Sequence, residues 1–216
     1  MSGRFSYAGR AGTAFPTPDM VEVLVGKSTE IHDGDVLVLT NASTYTSGVL
    51  VARPLLSGDT LTVSNGLIGV APFDMQTNSS AAPINVTSPV TVDPRAGIIT
   101  QVPNLGFVSR QDPVTGYTLI TIWSFTAQNR FYAQTASSDV ANYYLLNRNV
   151  GITASAATFP SNYFVDDDAA AANAPLIVTE ISQSDPQFNS ANGGGSVEVL
   201  CKPTFYAGLT GTFHAT

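Results

Sequence analysis

Between Met20 and Ala71 the sequence repeats one local pattern, short runs rich in Val, Leu, Ile or Thr, each closed by Gly, Asp, Asn or Pro: MVEVLVG, DVLVLT, SGVLVARPL, DTLTVS and GLIGVA. Aliphatic and β-branched residues in runs this short fit pleated strands and are too brief for helices. Asp33-Gly34 precedes DVLVLT, Ser57-Gly58-Asp59 precedes TLTVS and Asn65-Gly66 precedes LIGVA. Such pairs favour the positive φ angles of tight hairpin turns. The segment therefore predicts a meander of antiparallel strands.

The pattern continues downstream. Residues 73–94 are rich in Ser, Thr, Asn and Pro, and INVTSPVTV within them alternates as an edge strand does, with Pro89 breaking its ladder. AGIITQV, LGFVSR and YTLITIWSF follow, the last with the only tryptophan, Trp123, and the turn from Gln111 to Gly116 carries Pro113 in a turn-setting place. SSDVANYYLLNRN predicts a helix with Ser137 or Ser138 as N-cap. VGITASA, LIVTEIS and SVEVLCKP read as strands, and the last two are expected to pair as a long hairpin across Asn192-Gly193-Gly194-Gly195, with residues 185–195 as a protruding tip. No repeat of roughly 20 to 50 residues is visible, which leaves a sandwich or a barrel-like fold.

Three segments follow from this reading. Residues 1–20 form an extended N-terminal arm, because Gly3, Gly9, Gly12, Pro16 and Pro18 disfavour helix and regular strand. Its rings, Phe5, Tyr7 and Phe15, call for burial on its own domain or on a neighbouring subunit. Residues 21–130 form an all-β antiparallel domain, and residues 131–216 an Ala- and Asn-rich segment whose C-terminal β-hairpin completes it, with little helix overall.

Composition narrows the partners. With 44% hydrophobic and 12% charged residues, the polar surface is supplied by Thr, Ser, Asn and Gln. The net charge is -7 and the 9 basic residues are scattered, so no footprint for a phosphate backbone is present and direct nucleic-acid binding is not expected. MSGRFSYAGRAG lacks the apolar core of a secretory signal, and no apolar run approaches the roughly 20 residues of a membrane span. The expectation is a soluble protein made in a cytoplasm, with no membrane partner.

Chemistry-bearing residues are sparse. Cys201 alternates within VEVLCKPTFY as a small buried hydrophobe does, and zinc would need more than one cysteine and two distant histidines, His32 and His214. Neither histidine sits in a G-x-S-x-G setting; His32 with Asp33 or Asp35 is the one local acid–base grouping a hydrolase would have. Asp166-Asp167-Asp168 departs from the EF-hand spacing and reads as a solvated acidic loop or the first turn of a short helix. Gly193-Gly194-Gly195 lacks the Lys and helix that phosphate binding requires, and the 16 acids offer no pairing that marks a glycosidase. Trp123, Phe131, Tyr132, Tyr143 and Tyr144 are candidates for a sugar-stacking platform, set against core or interface packing. No catalytic, cofactor-binding or metal-ligating residue is assigned, and the chain is expected to be no enzyme.

A Gly-rich arm, DGDVLVL, the later GLIGVAPFD and the C-terminal SVEVLCKPTFYAGLTG together resemble the capsid decoration, or cement, proteins of tailed bacteriophages. The resemblance is carried by Gly34, Asp35, Val36, Leu37 and Val38 and by Gly69, Val70 and Ala71. It implies a virion structural protein that binds the outer capsid surface, as a homotrimer on the major capsid protein, and reinforces the shell without catalytic residues or cofactors. The alternative is a head-fibre or tail adhesion component that binds a host glycan; a hydrolase is the remaining expectation.

Overall fold

The computed structural model of the chain describes residues 3–10, 18–26, 30–39, 45–46, 49–61, 66–72, 75–76, 100–102, 106–108, 110–111, 117–126, 128–156, 161–202 and 205. The edge strand expected in 84–92, the turn residues 112–116, Phe15 and His214 lie outside the described residues.

The fold is all-β. A lead strand, β1 (Ser6–Arg10), precedes a first unit of β2 (Met20–Gly26), β3 (Glu30–Ile31), β4 (Val36–Leu39), β5 (Tyr45–Thr46), β6 (Val49–Pro54), β7 (Leu67–Val70), β8 (Met75–Gln76), β9 (Thr100–Val102), β10 (Gly106–Val108), β11 (Arg110–Gln111) and β12 (Tyr117–Ser124). A second unit follows with β13 (Asn129–Gln134), β14 (Asn149–Ala154), β15 (Tyr163–Asp166), β16 (Leu176–Ile181) and β17 (Ser196–Cys201). Helix is confined, among the described residues, to two 3-10 turns, Tyr143–Leu145 and Ala171–Asn173, and no helix there is long and apolar enough to cross a membrane.

The two units share one pattern of strand pairing. In the first, β2 runs antiparallel to β12 and parallel to β6 at Leu24↔Val51 and Val25↔Ala52. β6 then pairs with β4, β4 with β7, and β7 with β12 at Trp123↔Val70 and Ser124↔Gly69, all antiparallel, so the order returns to its start. In the second, β13 runs antiparallel to β17 and meets the end of β15 in parallel at Thr135↔Val165, where the Ala136 N–H donates to the Val165 carbonyl at 2.8 Å. β15 pairs with β14, β14 with β16 and β16 with β17, again antiparallel. In both, the first principal strand meets the fifth and, in parallel, the third; the second meets the third and the fourth; the fourth meets the fifth. Apart from that one bridge the second sheet is open, in the order β1-β13-β17-β16-β14-β15, so the molecule is an open packing of curled sheets and not a single closed barrel.

Burial explains the uninterrupted apolar runs. All four residues of VLVL in β4 and of LIGV in β7 are buried, because both faces of these strands are covered. Leu37 and Leu39 join Val23, Val25, Ile68, Ile120 and Ile122 in a core belonging to the first unit alone. Val36 and Val38 point the other way, into a larger cluster with Phe125, Phe131, Val178, Val199 and Phe5 that spans both units and the N-terminal segment. Gly69 stands where β7 crosses close to β12: a Cβ there would lie 2.1 Å from the Trp123 carbonyl oxygen.

Several sequence expectations change. The N-terminal segment contains a regular strand, β1, paired with β13 through a bulge between Tyr7 and Gly9, and Phe5 is 1% exposed in the shared core. Glycine there permits the bulge and does not abolish pairing. The first unit is not a simple meander, since β2 lies beside β6 and β12; turn residues specify local reversals but not which strand becomes the neighbour. DTLTVS forms no strand over Asp59–Leu61, where the Asp59 carboxylate instead accepts from both Arg53 Nη atoms at 2.6 and 2.8 Å and from the Leu56 N–H at 2.8 Å. The helix expected in SSDVANYYLLNRN reduces to the 3-10 turn Tyr143–Leu145, capped by the Asn142 side chain and not by Ser137 or Ser138. The hairpin of β16 and β17 forms as expected. Its connection, however, folds back: the Asn189 N–H donates to Ala141 O at 2.8 Å, and the Thr135 N–H to Gly195 O at 2.9 Å.

Candidate functional site

The acid–base grouping read from the sequence assembles where the N-terminal segment crosses the first unit. In the turn His32-Asp33-Gly34-Asp35, the His32 N–H donates to Asp35 Oδ2 at 2.7 Å and the Asp35 N–H to His32 O at 3.0 Å. Arg4 Nη1 ion-pairs with Asp35 Oδ1, and His32 Nδ1 stands 3.7 Å from Oδ2. Asp35 is fully buried, and burial pushes its carboxyl up to about 6 against the opposing pull of the His32 N–H and the Arg4 guanidinium. Burial, and then the nearby Asp35 charge, also raise the Tyr163 phenol above its ordinary value. With one carboxylate oxygen held by Arg4 and the other by the His32 amide, Asp35 is a strut that fastens the N-terminal segment. Asp33 is exposed in the turn.

A second grouping was half visible. Asp166 and Asp168 come within 4.8 Å of Asp139, through one carboxylate atom of each, and Asp139 stands 27 positions upstream of Asp166, beyond the reach of spacing arguments. The carboxylates serve their own loops. Asp139 accepts from the Ser138 hydroxyl at 2.8 Å and the Asp167 N–H at 3.0 Å. Asp166 accepts from the Asp168 N–H at 2.9 Å and the Thr153 hydroxyl at 3.0 Å. Burial, and then Asp139, raise the Asp167 carboxyl. The alanines that follow enter a single 3-10 turn.

The five aromatics do not form one platform. Phe131 is fully buried, its neighbour Tyr132 faces outward at 47% exposure, and Trp123 packs on Tyr7 with ring centres 5.7 Å apart. Tyr143 and Tyr144 are 60% and 81% exposed and stand beside exposed Leu146 on the capped 3-10 turn. Asn142 Oδ1 accepts from the Tyr144 N–H at 2.9 Å, Leu145 is buried beneath, and Tyr143 meets Phe188 edge-on at 5.4 Å. Cys201 is buried, and burial pushes its thiol up, away from the reactive thiolate.

Two of the concave surfaces bordered by the described residues lie on the second unit. One, of about 510 Å³, is bordered by Tyr132, Glu180, Ser182, Ser196 and Glu198, with Glu198 held by Arg130 at 2.9 Å and Thr179 at 2.8 Å. The other, of about 520 Å³, lies between Gln134–Ser138, the β14–β15 hairpin and the glycine connection. Gly193 borders it at φ +64°, and a Cβ there would meet the Ala136 carbonyl oxygen at 2.2 Å; with Gly195 packed against Ala141, the run is anchored on both sides of Gly194 and is not a free tip.

Comparison of the chain with protein-family models, with curated proteins and with solved structures finds no match.

Proposed function

We propose that the chain is a virion structural protein that binds the outer surface of a capsid shell and reinforces it, as a homotrimer on the major capsid protein. The observation that carries this reading is the patch of Tyr143, Tyr144 and Leu146. Binding energy at protein interfaces concentrates in a few aromatic anchors, and exposed apolar side chains gathered on one element mark such anchors. Here the anchors are held in advance by the Asn142 cap, by buried Leu145 and by the Phe188 ring, which reduces the ordering cost of binding. A surface poor in charge suits wide, hydrogen-bonded contacts repeated over many copies.

The test is co-sedimentation of the purified protein with undecorated shells, scored together with the heat resistance of the shells. Replacing Tyr144, which is 81% exposed, by Ser is expected to cost about 2 kcal/mol or more of binding and to leave the melting temperature unchanged. Absence of co-sedimentation by the parent protein would overturn the reading.

A further inference from the structure

The same pair of connections closes the same end of both units, and the two closures differ. In the first unit, β3 in the β2–β4 connection pairs with β8, just after β7, at Glu30↔Gln76 and Ile31↔Met75. In the second, the β13–β14 and β16–β17 connections touch through the Asn189–Ala141 and Thr135–Gly195 hydrogen bonds and leave the 520 Å³ cavity against the β14–β15 hairpin.

We propose that this cavity is a binding site for a short neutral glycan. No residue that lines it is charged; amides and hydroxyls of Gln134, Ser137, Ser138, Gln187 and Asn192 surround one ring, Phe164. Amide and hydroxyl groups both donate and accept, which matches sugar hydroxyls, and a half-buried ring packs on the apolar face of a sugar. The Phe164 ring is fixed by its packing over Gly3. A volume near 520 Å³ falls within the roughly 300 to 1,000 Å³ of small-molecule sites. Selectivity against acidic sugars follows from the wall: Thr153 lines the cavity, and its hydroxyl donates to Asp166, a member of the acidic trio. An anionic ligand would meet that negative field, whereas a neutral one would not.

The experiment is saturation-transfer NMR and calorimetry on the full chain with lactose, N-acetyllactosamine, maltose, cellobiose and chitobiose, and with sialyllactose as the acidic probe. At least one neutral sugar is expected to bind saturably, with sialyllactose at least about tenfold weaker. Ser137→Trp, which fills the cavity from an exposed position, is expected to abolish that binding without moving the melting temperature, and Tyr144→Ser to leave it unchanged. No saturable binding by any neutral probe, equal binding of sialyllactose, or binding that survives Ser137→Trp would each overturn the proposal. Shell binding depends on Tyr143 and Tyr144 and not on Ser137, so the two readings fail separately.

Discussion

The two units share a strand order but not a way of being buried. The first owns an aliphatic core, from Val23 to Ile122, and then buries the opposite faces of β4 and β7 against its neighbour. The interior of the second is continuous with that contact and with Phe5, and its aromatic residues, Phe131 and Tyr163 among them, lie there. One pairing scheme thus supports two degrees of independence. A sheet with a private core can tolerate loss at its outer face, while a sheet whose core is also the junction cannot.

The strongest way to break this comparison is to remove residues 1–10. That deletes β1, the Phe5 ring and the Arg4 partner of Asp35, and is expected to abolish cooperative unfolding of the second unit while the first keeps its β signal. Hydrogen exchange resolved by segment measures it, and equal loss in both units would show that the private core does not stand alone.

Next in size are two core truncations. Phe125→Ala, at the junction and 4.8 Å from Phe131 between ring centres, is expected to cost about 4 kcal/mol and to lower exchange protection in both units. Ile122→Ala, in the private core, is expected to cost about 3 kcal/mol, with protection lost first in the first unit. Identical protection patterns would erase the distinction.

The Arg4–Asp35 strut tests how the N-terminal segment is tied to the first unit. Arg4→Ala leaves a buried carboxylate without its cation and is expected to cost about 3 kcal/mol at neutral pH. The Asp35 carboxyl titrates near 6 in the fold and near 3.8 when unfolded, so the folded state holds more protons between these values. Its contribution to stability is fully present below about 3.8 and is lost as pH rises through about 6. Denaturant midpoints between those values should therefore fall with rising pH, and Asp35→Asn should flatten that share of the slope.

The smallest effects lie in the glycine connection. Gly193→Ala must displace the Ala136 carbonyl and is expected to cost about 2 kcal/mol. Gly194→Ala, at φ +80° with open space around it, is expected to cost about 1 kcal/mol. Equal melting temperatures for the two variants would mean that the connection does not pack on the β13–β14 segment.

Legibility followed the range of the physical signal. DVLVLT, GLIGVA, YTLITIWSF and the final hairpin were readable because composition and turn residues act within a few positions. NRFYAQ in β13 was missed although its burial alternates, since the inward positions hold Asn129 and Ala133 beside Phe131. Asn129 is buried because its side-chain amide donates to Asp19 O at 2.9 Å and Ser124 O at 2.8 Å, partners that no local pattern announces. The strand in the glycine-rich start was missed for a related reason: Ser6–Arg10 pairs only because β13 lies ready to receive it. In the candidate sites, His32 and Asp35 stand three positions apart in one turn, whereas Arg4 and Asp139 reach their partners from other parts of the chain.

By itself the sequence determined that this chain makes short strands with tight turns, covers itself with uncharged polar groups and leaves its single cysteine buried. Tertiary structure decided which strands became neighbours, that two units share one pairing order, that one end of the second unit holds a concavity lined by uncharged residues, and that Tyr143 and Tyr144 are exposed. The reason is one of range: side-chain alternation and turn preferences act over a few residues, while the choice of partner strand rests on contacts as distant in sequence as Ser6 and Tyr132, and only the folded chain brings those together.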